Sequence, residues 1–510
     1  MFKKILIANR GEIAVRVIRA CRELGIATVA VFSEADRDSL PVRMADEAYG
    51  IGPPPATESY LRADKILEVA KQSGAEAIHP GYGFLSENAD FSDACRDVKI
   101  KFIGPPGSSM RRLGDKISAR LVAEKVGVPI IPGMDKPLTD AAEAKQLAAK
   151  FGYPVLLKAR SGGGGKGMRK VTQPSEMESA FQRASSEARQ SFKDAALYLE
   201  KYIEQPHHVE MQILGDTQGD VVALGERECS AQRRHQKVIE ESPSPFILAC
   251  TREKLLDAAI RLAREANYEN AGTMDFLVDR KQNFYFLEMN ARLQVEHPVT
   301  EQVTGIDLVR AQLAVAAGEN LESIVGTGLT RPKGAWTAPL QIHSIECRIY
   351  AEDPFNNFMP SPGKITHLRN PEGPGVRVDS AVYPGCEISV HYDPMIAKLI
   401  TWGANRGEAL LRMKRALMEY QIVGVRHNIP FHQALINQTD FQKGSYDTGF
   451  IERVLPELQG AVSREFEEIA KLAVEIHKKC RGGVNPPGRM NQDPTETSLW
   501  RQISRREGLR

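Results

Sequence analysis

The sequence is poor in paired cysteines, in net charge and in long hydrophobic runs. Its seven cysteines are an odd number without a Cys-x-x-Cys pair, which argues against a disulfide framework and a zinc site. The 67 basic and 65 acidic residues nearly balance, so neither nucleic acid nor a membrane surface is expected as a partner. The first apolar stretch, Ile5 to Ala8, is too short for a signal peptide, and no later one reaches transmembrane length. These absences predict a cytoplasmic protein.

A complete nucleotide-binding fingerprint is also missing, although four glycines precede Lys166 in the stretch SGGGGKGM. A Walker A loop requires a glycine at position 160 and a serine or threonine after the lysine, but Arg160 and Gly167 stand there. The first predicted strand-to-helix turn contains Gly11 alone, so NAD binding is not expected. Two interpretations of the glycine run stay open at this point: a flexible surface turn, or a flap over a phosphate-bearing ligand.

The order of apolar patterns predicts a mixed α/β and α+β protein of several domains. Up to Ile103, buried strands alternate with helical periodicity, the pattern of a doubly wound, Rossmann-like domain. Strands at 155–159 and 196–202 flank the glycine run and predict a small β-rich unit. Beyond Arg331, short strands among prolines and glycines predict an antiparallel β-rich C-terminal domain. From Arg481 onward few side chains are apolar, which predicts a tail.

The most informative segment is EMNARLQVEH, residues 288 to 297, in which polar and apolar residues alternate. As an extended strand it would place five polar side chains on one face: Glu288, Asn290, Arg292, Gln294 and Glu296. A half-solvated strand would show the same alternation. However, two carboxylates and two amides on one face also suit Mg²⁺ bound together with substrate phosphates.

A further carboxylate, Asp275, lies in the preceding strand pattern TMDFLV. A hairpin loop with an even number of residues would place Asp275 and Glu288 on one face, whereas a shift of one residue would separate them. The sequence leaves this register open. With the glycine run and several lysines, these acids predict an ATP-dependent ligase outside the P-loop architecture, in which Mg²⁺ bridges the phosphates to the carboxylates.

Seven motifs, in order along the chain, resemble those of biotin carboxylase, the ATP-grasp component of biotin-dependent carboxylases. They are IANRGEIA from Ile7, HPGYGFLSEN from His79, GDK from Gly114, Lys158 with the glycine run, RRHQKVIEE from Arg233, EMNARLQVEHP from Glu288 and ECRIYAEDP from Glu346. The resemblance extends from residue 1 to about 453. It implies four parts: a Rossmann-like N-terminal domain (1–114), an ATP-grasp domain (115–330) with a mobile lid at about 131–203, a β-rich C-terminal domain (331–453) and an extension (454–510).

The resemblance implies a two-step reaction. ATP phosphorylates bicarbonate to carboxyphosphate, and the CO₂ released from it is captured by N1 of biotin on a carrier protein. The implied ATP-binding residues are Lys116, Lys158, Gly164, Gly165, Glu200, Lys201, Ile203, His208, Gln232, His235, Asp275 and Glu288. The implied ligands of Mg²⁺, or of Mn²⁺ in its place, are Asp275, Glu288 and Asn290.

The resemblance also assigns residues to bicarbonate and biotin. Bicarbonate would be held by Lys237, Arg292, Gln294 and Val295. Glu296 would remove its proton, Arg348 would stabilise the biotin enolate, and Tyr82 would lie near the biotin ring. The alternation in ECRIY predicts that Glu346 and Arg348 face away from the core.

Partners follow from a missing motif. Biotin carriers present their lysine in a Met-Lys-Met hairpin, which is absent from the sequence, so the biotin carboxyl carrier protein and the carboxyltransferase are expected as separate chains. A homodimer or larger complex is implied, as is common in the family. The segment from about 320 to 342 resembles acyl-CoA carboxylases and favours an acyl-CoA acceptor, but acetyl-CoA, propionyl-CoA, another acyl-CoA and pyruvate all stay open.

Two other functions compete with this interpretation. Another ATP-grasp ligase, such as a carbamoyl-phosphate or purine-pathway carboxylating enzyme, would lack the HPGYGFLSEN and RRHQKV motifs. An inactive ATP-binding subunit is disfavoured, because competent side chains fill the expected polar positions. One departure affects the metal site: position 275 is Asp, where the family often has Glu.

Overall fold

The computed structural model describes residues 1–114, 116–134, 136–159, 168–192, 196–326, 342–458 and 471, leaving aside the side chains of 116, 117 and 190–192. Gly164 and Gly165 of the predicted ATP site therefore lie outside the described residues, as do the Lys116 side chain and most of the extension. Two compact units divide the chain, Met1–Arg453 and Val454–Arg510. No described helix combines the length and the apolar character needed to span a bilayer.

The N-terminal part is a five-stranded parallel sheet in the order β3-β2-β1-β4-β5. Its strands are β1 (Lys4–Ile7), β2 (Ala27–Ser33), β3 (Glu47–Gly52), β4 (Ala77–His79) and β5 (Lys101–Phe102). Its helices are α1 (Gly11–Glu23), α2 (Leu40–Met44), α3 (Ala63–Ser73), α4 (Ala89–Asp97) and α5 (Gly107–Gly114). Helix α1 buries Ile13, Val17 and Cys21, as its periodicity predicts. The parallel sheet confirms the Rossmann-like prediction.

A second, small sheet is antiparallel, with the strand order β7-β6-β8. Its strands are β6 (Val155–Ala159), β7 (Met168–Val171) and β8 (Leu197–Lys201), and the helices of this region are α6 (Lys116–Lys125), α7 (Ala141–Phe151) and α8 (Met177–Phe192). Leu157, Met177 and Leu199 are fully buried in a hydrophobic cluster of its own. The strands predicted on either side of the glycine run are confirmed, but α7 and α8 pack against them, so this unit is mixed α/β and the prediction that it is β-rich is wrong.

The largest sheet is antiparallel and has eight strands in the order β13-β12-β9-β10-β11-β14-β21-β19. Its strands are β9 (His207–Gly215), β10 (Val221–Arg233), β11 (Gln236–Ser242), β12 (Asn270–Val278), β13 (Phe284–Asn290), β14 (His343–Tyr350), β19 (Val376–Ser380) and β21 (Met395–Gly403). Helices α9 (Ala249–Glu265), α10 (His297–Thr304), α11 (Leu308–Ala316) and α12 (Leu321–Val325) belong to the same region. This one sheet therefore extends across the predicted boundary at residue 330.

Both faces of the large sheet are covered. Val209, Met211 and Ile213 of β9 share one hydrophobic cluster with α9, whereas Leu214 belongs to a second cluster with α11. Because side chains alternate along a strand, the even-numbered polar residues of β9 face the second side, toward α10 and α11. The candidate active site lies on this face.

Short pieces of β-structure complete the C-terminal region, in which antiparallel pairing is confirmed. They are β15 (Glu352–Asp353), β16 (Met359–Pro360), β17 (Gly363–Lys364), β18 (His367–Arg369), β20 (Glu387–Ile388) and β22 (Gln421–Val423). The helices are α13 (Arg406–Glu419), α14 (Ile429–Ile436) and α15 (Thr439–Lys443). Helix α13 packs against β21 and β14 and supports the strands that carry Arg348 and Lys398.

Candidate active site

Asp275 and Glu288 lie opposite each other on the antiparallel pair β12–β13. The loop between these strands, residues 279–283, has five residues, an odd number that by itself would place the two acids on opposite faces. A β-bulge between Asp275 and Phe276 shifts the register by one residue. The bulge therefore brings both acids to one face, together with Asn290, and settles the register that the sequence left open.

Asp275 has the properties of a metal ligand. Its Oδ2 lies 3.1 Å from His208 Nε2 and accepts a hydrogen bond from Asn290 Nδ2 at 3.2 Å, whereas its buried Oδ1 has no partner among the described residues. Burial would raise the pKa of Asp275, but the positive charge of Lys237 and the His208 contact outweigh it and lower this pKa. An ionised carboxylate with one uncommitted oxygen, beside a second carboxylate and an amide oxygen, fits Mg²⁺.

Asp275→Asn is expected to raise the Mg²⁺ concentration for half-maximal ADP release about 10- to 100-fold, because the amide keeps the shape but loses the charge. The measurement is a Mg²⁺ titration of ADP release at fixed ATP. Asp257→Asn is the control, since Asp257 lies on α9 with a side chain 65% exposed. An unchanged Mg²⁺ dependence in Asp275→Asn would show that this carboxylate does not bind the metal.

The predicted strand from residue 288 to 296 is wrong beyond Asn290. Strand β13 ends there, an irregular segment follows over 291–296, and α10 begins at His297. Leu293 is fully buried in the cluster around α1 and α11, so the apolar residues of the alternation anchor a turn instead of lining a sheet. The five polar side chains therefore do not share one strand face. The turn nevertheless brings the Glu296 side chain next to the large sheet.

Five side chains of alternating charge, four of them buried and Lys237 partly buried, meet where this turn contacts β9, β11 and β14. Lys237 Nζ lies 2.6 Å from Glu210 Oε2 and 2.6 Å from Glu296 Oε1. Arg348 donates through Nη2 to Glu296 Oε2 at 3.0 Å and through Nε to Glu240 Oε1 at 2.6 Å. Glu296 thus lies between the two cations that the resemblance assigned to bicarbonate and biotin. We call the series Glu210–Lys237–Glu296–Arg348–Glu240 the charge chain.

The two cations decide the state of Glu296. Burial would raise the pKa of this carboxyl, but the charges of Lys237 and Arg348 outweigh it and hold the pKa well below its usual value. Burial raises the pKa of Glu240 to about 7, because the positive charges of Arg348 and Lys237 do not offset burial together with the like charge of Glu296. Glu296 is therefore ionised at neutral pH, whereas Glu240 titrates near pH 7.

The prediction that Glu346 and Arg348 face outward is wrong. Every residue of β14 is buried, because β14 lies between β11 and β21 and both faces of the sheet are covered. Glu346 is paired with Glu240 across the strands, and neither of its carboxyl oxygens has a hydrogen-bond partner within the described parts of the chain. Burial raises the pKa of Glu346 well above its usual value, so this carboxyl is neutral.

The raised pKa of Glu240 makes folding stability depend on pH. The folded protein retains this proton between pH 4.5 and about 7 while the unfolded chain releases it, so the contribution of Glu240 is complete below 4.5 and is lost as pH rises through 7. As pH rises, this effect lowers the free energy of unfolding of the parent chain by on the order of 3 kcal/mol. Glu240→Gln has no such proton to lose, so its stability does not decrease in this way. We expect its melting temperature, relative to the parent chain, to increase from pH 5 to pH 8. The exposed control Glu253→Gln should show no such trend, and an equal trend in both variants would contradict this origin.

Sequence reasoning missed Glu210 and Arg227. Arg227 is fully buried and donates through Nε to Glu210, through Nη1 to Gln212 Oε1 at 2.8 Å and through Nη2 to Thr273 Oγ1 at 3.1 Å. The signal was the run Glu-Arg-Glu inside the apolar strand β10, since charges in a central strand are kept only where they are paired. Glu210, Cys229 and Glu296 form a candidate cation cluster, but the Lys237 ammonium occupies the space between the two carboxylates.

Three predicted ATP residues belong to the small sheet around the glycine run. Lys158 and Glu200 form an ion pair across β6 and β8, and Lys201 Nζ donates to the carbonyl of Gly152 at 2.7 Å. Ile203 is half-buried just beyond β8. Lys158 lies near the end of β6 that precedes the glycine run, whereas Lys201 pairs with Val155 at the opposite end of the strand.

Two further predicted ATP residues lie at the β10–β11 hairpin. Gln232 pairs directly with Lys237 across the strands, which connects the predicted ATP site to the charge chain. His235 forms the turn with Arg234, and both have left-handed φ values, 66° and 49°. Such values are uncommon outside glycine and asparagine, so the turn holds His235 in a defined position.

Tyr82 and Val295 are connected through the fully buried Lys398. Its Nζ donates to the Val295 carbonyl at 2.9 Å and lies 6.0 Å from the centre of the Tyr82 ring. The Tyr82 hydroxyl donates to Glu12, which also pairs with Lys398 at 3.1 Å. The structure therefore places Tyr82, from the segment that follows β4, next to the segment that carries Glu296.

Three family models match the chain in succession. The model "Biotin carboxylase, N-terminal domain" matches residues 1–110, "Carbamoyl-phosphate synthase L chain, ATP binding domain" matches 115–324, and "Biotin carboxylase C-terminal domain" matches 346–453. A protein named biotin carboxylase, from Halalkalibacterium halodurans, is 54% identical over 451 residues, which cover 88% of this chain and 97% of that protein. A pyruvate carboxylase subunit of Methanothermobacter thermautotrophicus is 51% identical over 486 residues, 95% and 96% of the two chains.

This chain is also similar to a solved structure, both in fold and in sequence. That structure is the biotin carboxylase domain dimer of the 2-oxoglutarate carboxylase of Hydrogenobacter thermophilus, in complex with MgADP, ADP and bicarbonate. It has a TM-score of 0.82 and 46% sequence identity, and the match covers 90% of this chain and 99% of that one. The predicted fold class is thereby confirmed. The matched models, the identities and the shared fold together show that this chain belongs to the biotin carboxylase family.

Proposed function

We propose that this chain is the biotin carboxylase subunit of a biotin-dependent carboxylase, in which it uses MgATP and bicarbonate to carboxylate biotin on a separate carrier protein. The observation that carries the proposal is the position of Glu296, a buried carboxylate held between Lys237 and Arg348. This arrangement provides a base for bicarbonate and one cation for each of the two substrates. The bicarbonate and MgADP of the solved relative support the same assignment.

The metal and ATP sites follow from the hairpin β12–β13 and the small sheet. Asp275, Glu288 and Asn290 would hold Mg²⁺, which supplies charge neutralisation and Lewis acidity at the phosphates when bound. Lys158, Glu200, Lys201, Ile203, His208, Gln232 and His235 are proposed around ATP, as are Lys116, Gly164 and Gly165. Closure of a lid over 131–203 stays a prediction; its purpose would be to exclude water from carboxyphosphate.

Bicarbonate would be bound by Lys237 and Arg292, with Gln294 and Val295 completing the site. The proton of its hydroxyl passes to the Glu296 carboxylate, and the freed oxygen attacks the γ-phosphorus of ATP, from which ADP departs. A carboxylate with a strongly lowered pKa is a weak base. We infer that bicarbonate strengthens it, because hydrogen bonds from Lys237 to the substrate anion are withdrawn from Glu296.

Biotin would be bound at Arg348 and Tyr82. The enolate of the biotin ureido group carries negative charge on oxygen, and a guanidinium offers it parallel donors in a buried site. Arg348 is 8% exposed, so its charge is poorly screened by water. Decomposition of carboxyphosphate gives CO₂ and phosphate; the phosphate would take the N1 proton of biotin, and the resulting enolate would capture the CO₂ at N1.

The partners and the domain division stay proposals. We propose a carrier protein and a carboxyltransferase as separate chains, and self-association as a dimer, which the dimeric relative supports. The boundaries 1–114, 115–330, 331–453 and 454–510 and a cytoplasmic location stay predictions. The acceptor also stays open: the relatives include pyruvate carboxylase and methylcrotonoyl-CoA carboxylase subunits, and most of the segment used to favour an acyl-CoA lies outside the described residues.

The test is ADP release by the purified chain with MgATP, with and without bicarbonate and free biotin. We expect release to require bicarbonate and to increase with biotin, accompanied by carboxybiotin. Release that ignores both would overturn the proposal and favour another ATP-grasp ligase.

A further inference from the structure

The HPGYGFLSEN motif contributes only Tyr82 to the proposed reaction, yet its acid, Glu87, also reaches the candidate site. Glu87 Oε1 accepts the backbone N–H of Ala291 at 2.9 Å, and Oε2 accepts Arg292 Nε at 2.9 Å. One carboxylate therefore fixes both the backbone and the side chain at the start of the segment 291–296. Glu87 itself comes from the N-terminal sheet region, more than two hundred residues earlier in the chain.

The backbone that presents Glu87 is fixed from both sides. Before it, Gly83 and Phe84 have left-handed φ values of 68° and 45°, and the Phe84 ring stacks on Tyr60 with centroids 4.9 Å apart. A left-handed phenylalanine costs about 1 to 3 kcal/mol and persists only where other contacts hold it. After it, the Asn88 side chain caps α4. Glu87 thus has a rigid base although its side chain is 43% exposed.

Arg292 depends on this contact for its orientation. Its Nη1 donates to Gln294 Oε1 at 2.9 Å and its Nη2 donates to Asn290 Oδ1 at 3.1 Å. Both acceptors are neutral amides in the same short segment. Among the described residues, Glu87 is the carboxylate that forms an ion pair with Arg292. With Nε held by Glu87, the guanidinium cannot rotate, and its Nη edge faces the proposed metal and bicarbonate ligands.

We propose that Glu87 is a positioning residue for bicarbonate, acting through Ala291 and Arg292 without contacting the substrate. This inference rests on the proposed function. An electrostatic effect of Glu87 and a positioning effect of Glu87 predict opposite changes in bicarbonate binding when this residue is replaced, so one experiment distinguishes them. Glu87 carries a negative charge near an anion site, so its removal by electrostatics alone would strengthen bicarbonate binding. If Glu87 acts by positioning Arg292, its removal weakens bicarbonate binding instead.

Glu87→Gln and Glu87→Asp test the inference, with Asp90→Asn as control. Asp90 lies three residues further along, with a side chain 93% exposed. ADP release is measured with bicarbonate varied at saturating MgATP and biotin, and with ATP varied at saturating bicarbonate. Both Glu87 variants are expected to raise the bicarbonate KM about tenfold, since one loses the charge and the other the reach. The ATP KM and the melting temperature should change little, and Asp90→Asn should behave as the parent chain.

The outcomes separate this inference from the proposed function. A parent chain whose ADP release ignores bicarbonate overturns the proposed function. A parent chain that requires bicarbonate, with Glu87 variants whose bicarbonate KM is unchanged or lower, overturns the positioning role alone. Equal rises in both KM values with a lower melting temperature would show a merely structural contact and would also overturn it. A selective rise in the bicarbonate KM in both variants supports it.

Discussion

Glu296→Gln is expected to lower bicarbonate-dependent ADP release and biotin carboxylation together, each by about 10²- to 10⁴-fold. The amide fills the same space between Lys237 and Arg348 but cannot accept the bicarbonate proton. Because carboxyphosphate formation precedes biotin carboxylation, loss of the first step removes both. The measurements are ADP release and carboxybiotin formation by the same enzyme preparation.

The control is an equally buried glutamate outside the charge chain. Glu301 lies on α10, five residues beyond Glu296, and pairs with Arg16 at 2.9 Å and Arg377 at 2.7 Å. Glu301→Gln is expected to lower the melting temperature while the activity per folded molecule stays near that of the parent chain. If Glu296→Gln retained more than about a tenth of both activities, Glu296 would not be the base.

Arg348→Ala is expected to separate the two half-steps. Biotin carboxylation should decrease about 10²- to 10³-fold, the usual cost of losing an oxyanion donor, whereas bicarbonate-dependent ADP release should stay measurable. The physical reason is that Arg348 is one of the cations that lower the pKa of Glu296. Its removal raises that pKa and leaves a stronger base for bicarbonate. ADP release and carboxybiotin are again measured in parallel.

Loss of Arg348 also leaves buried Glu240 without the arginine to which it is paired. The pKa of Glu240, already raised to about 7, then rises further, so at pH 8 the folded chain must bind a proton that the unfolded chain has released, and stability falls. The double variant Arg348→Ala with Glu240→Gln, measured at pH 8, removes this titrating carboxyl. It should recover much of the lost melting temperature without recovering biotin carboxylation. A double variant that recovered both would show that Arg348 acts on stability and not on the biotin enolate.

The spacing of apolar residues within short stretches predicted much of the fold, because the strands and helices of the N-terminal sheet follow that spacing. Its strands are short apolar runs, and α1 buries the apolar residues that recur at helical spacing, together with the rest of 12–18. The antiparallel pairing of the C-terminal strands was predicted from the prolines and glycines that separate short strand patterns. The failure over 291–296 has a specific cause: the apolar residues that alternate with the polar ones pack as a buried turn, and Leu293 enters a cluster formed by α1 and α11. Alternation cannot distinguish such a turn from a strand.

The chemistry available to this protein is already visible in its residues: the order of the motifs, the acid and amide set around residues 275–296, and the cations Lys237, Arg292 and Arg348. How these groups meet depends on the folded chain. A single β-bulge put Asp275 beside Glu288, a strand buried on both faces turned Arg348 inward, and Glu87 reached Arg292 from the turn before α4, 205 residues away in the sequence. The physical reason is that register, burial and long-range ion pairs arise from contacts between segments far apart in the chain, whereas side-chain chemistry is already present in each residue.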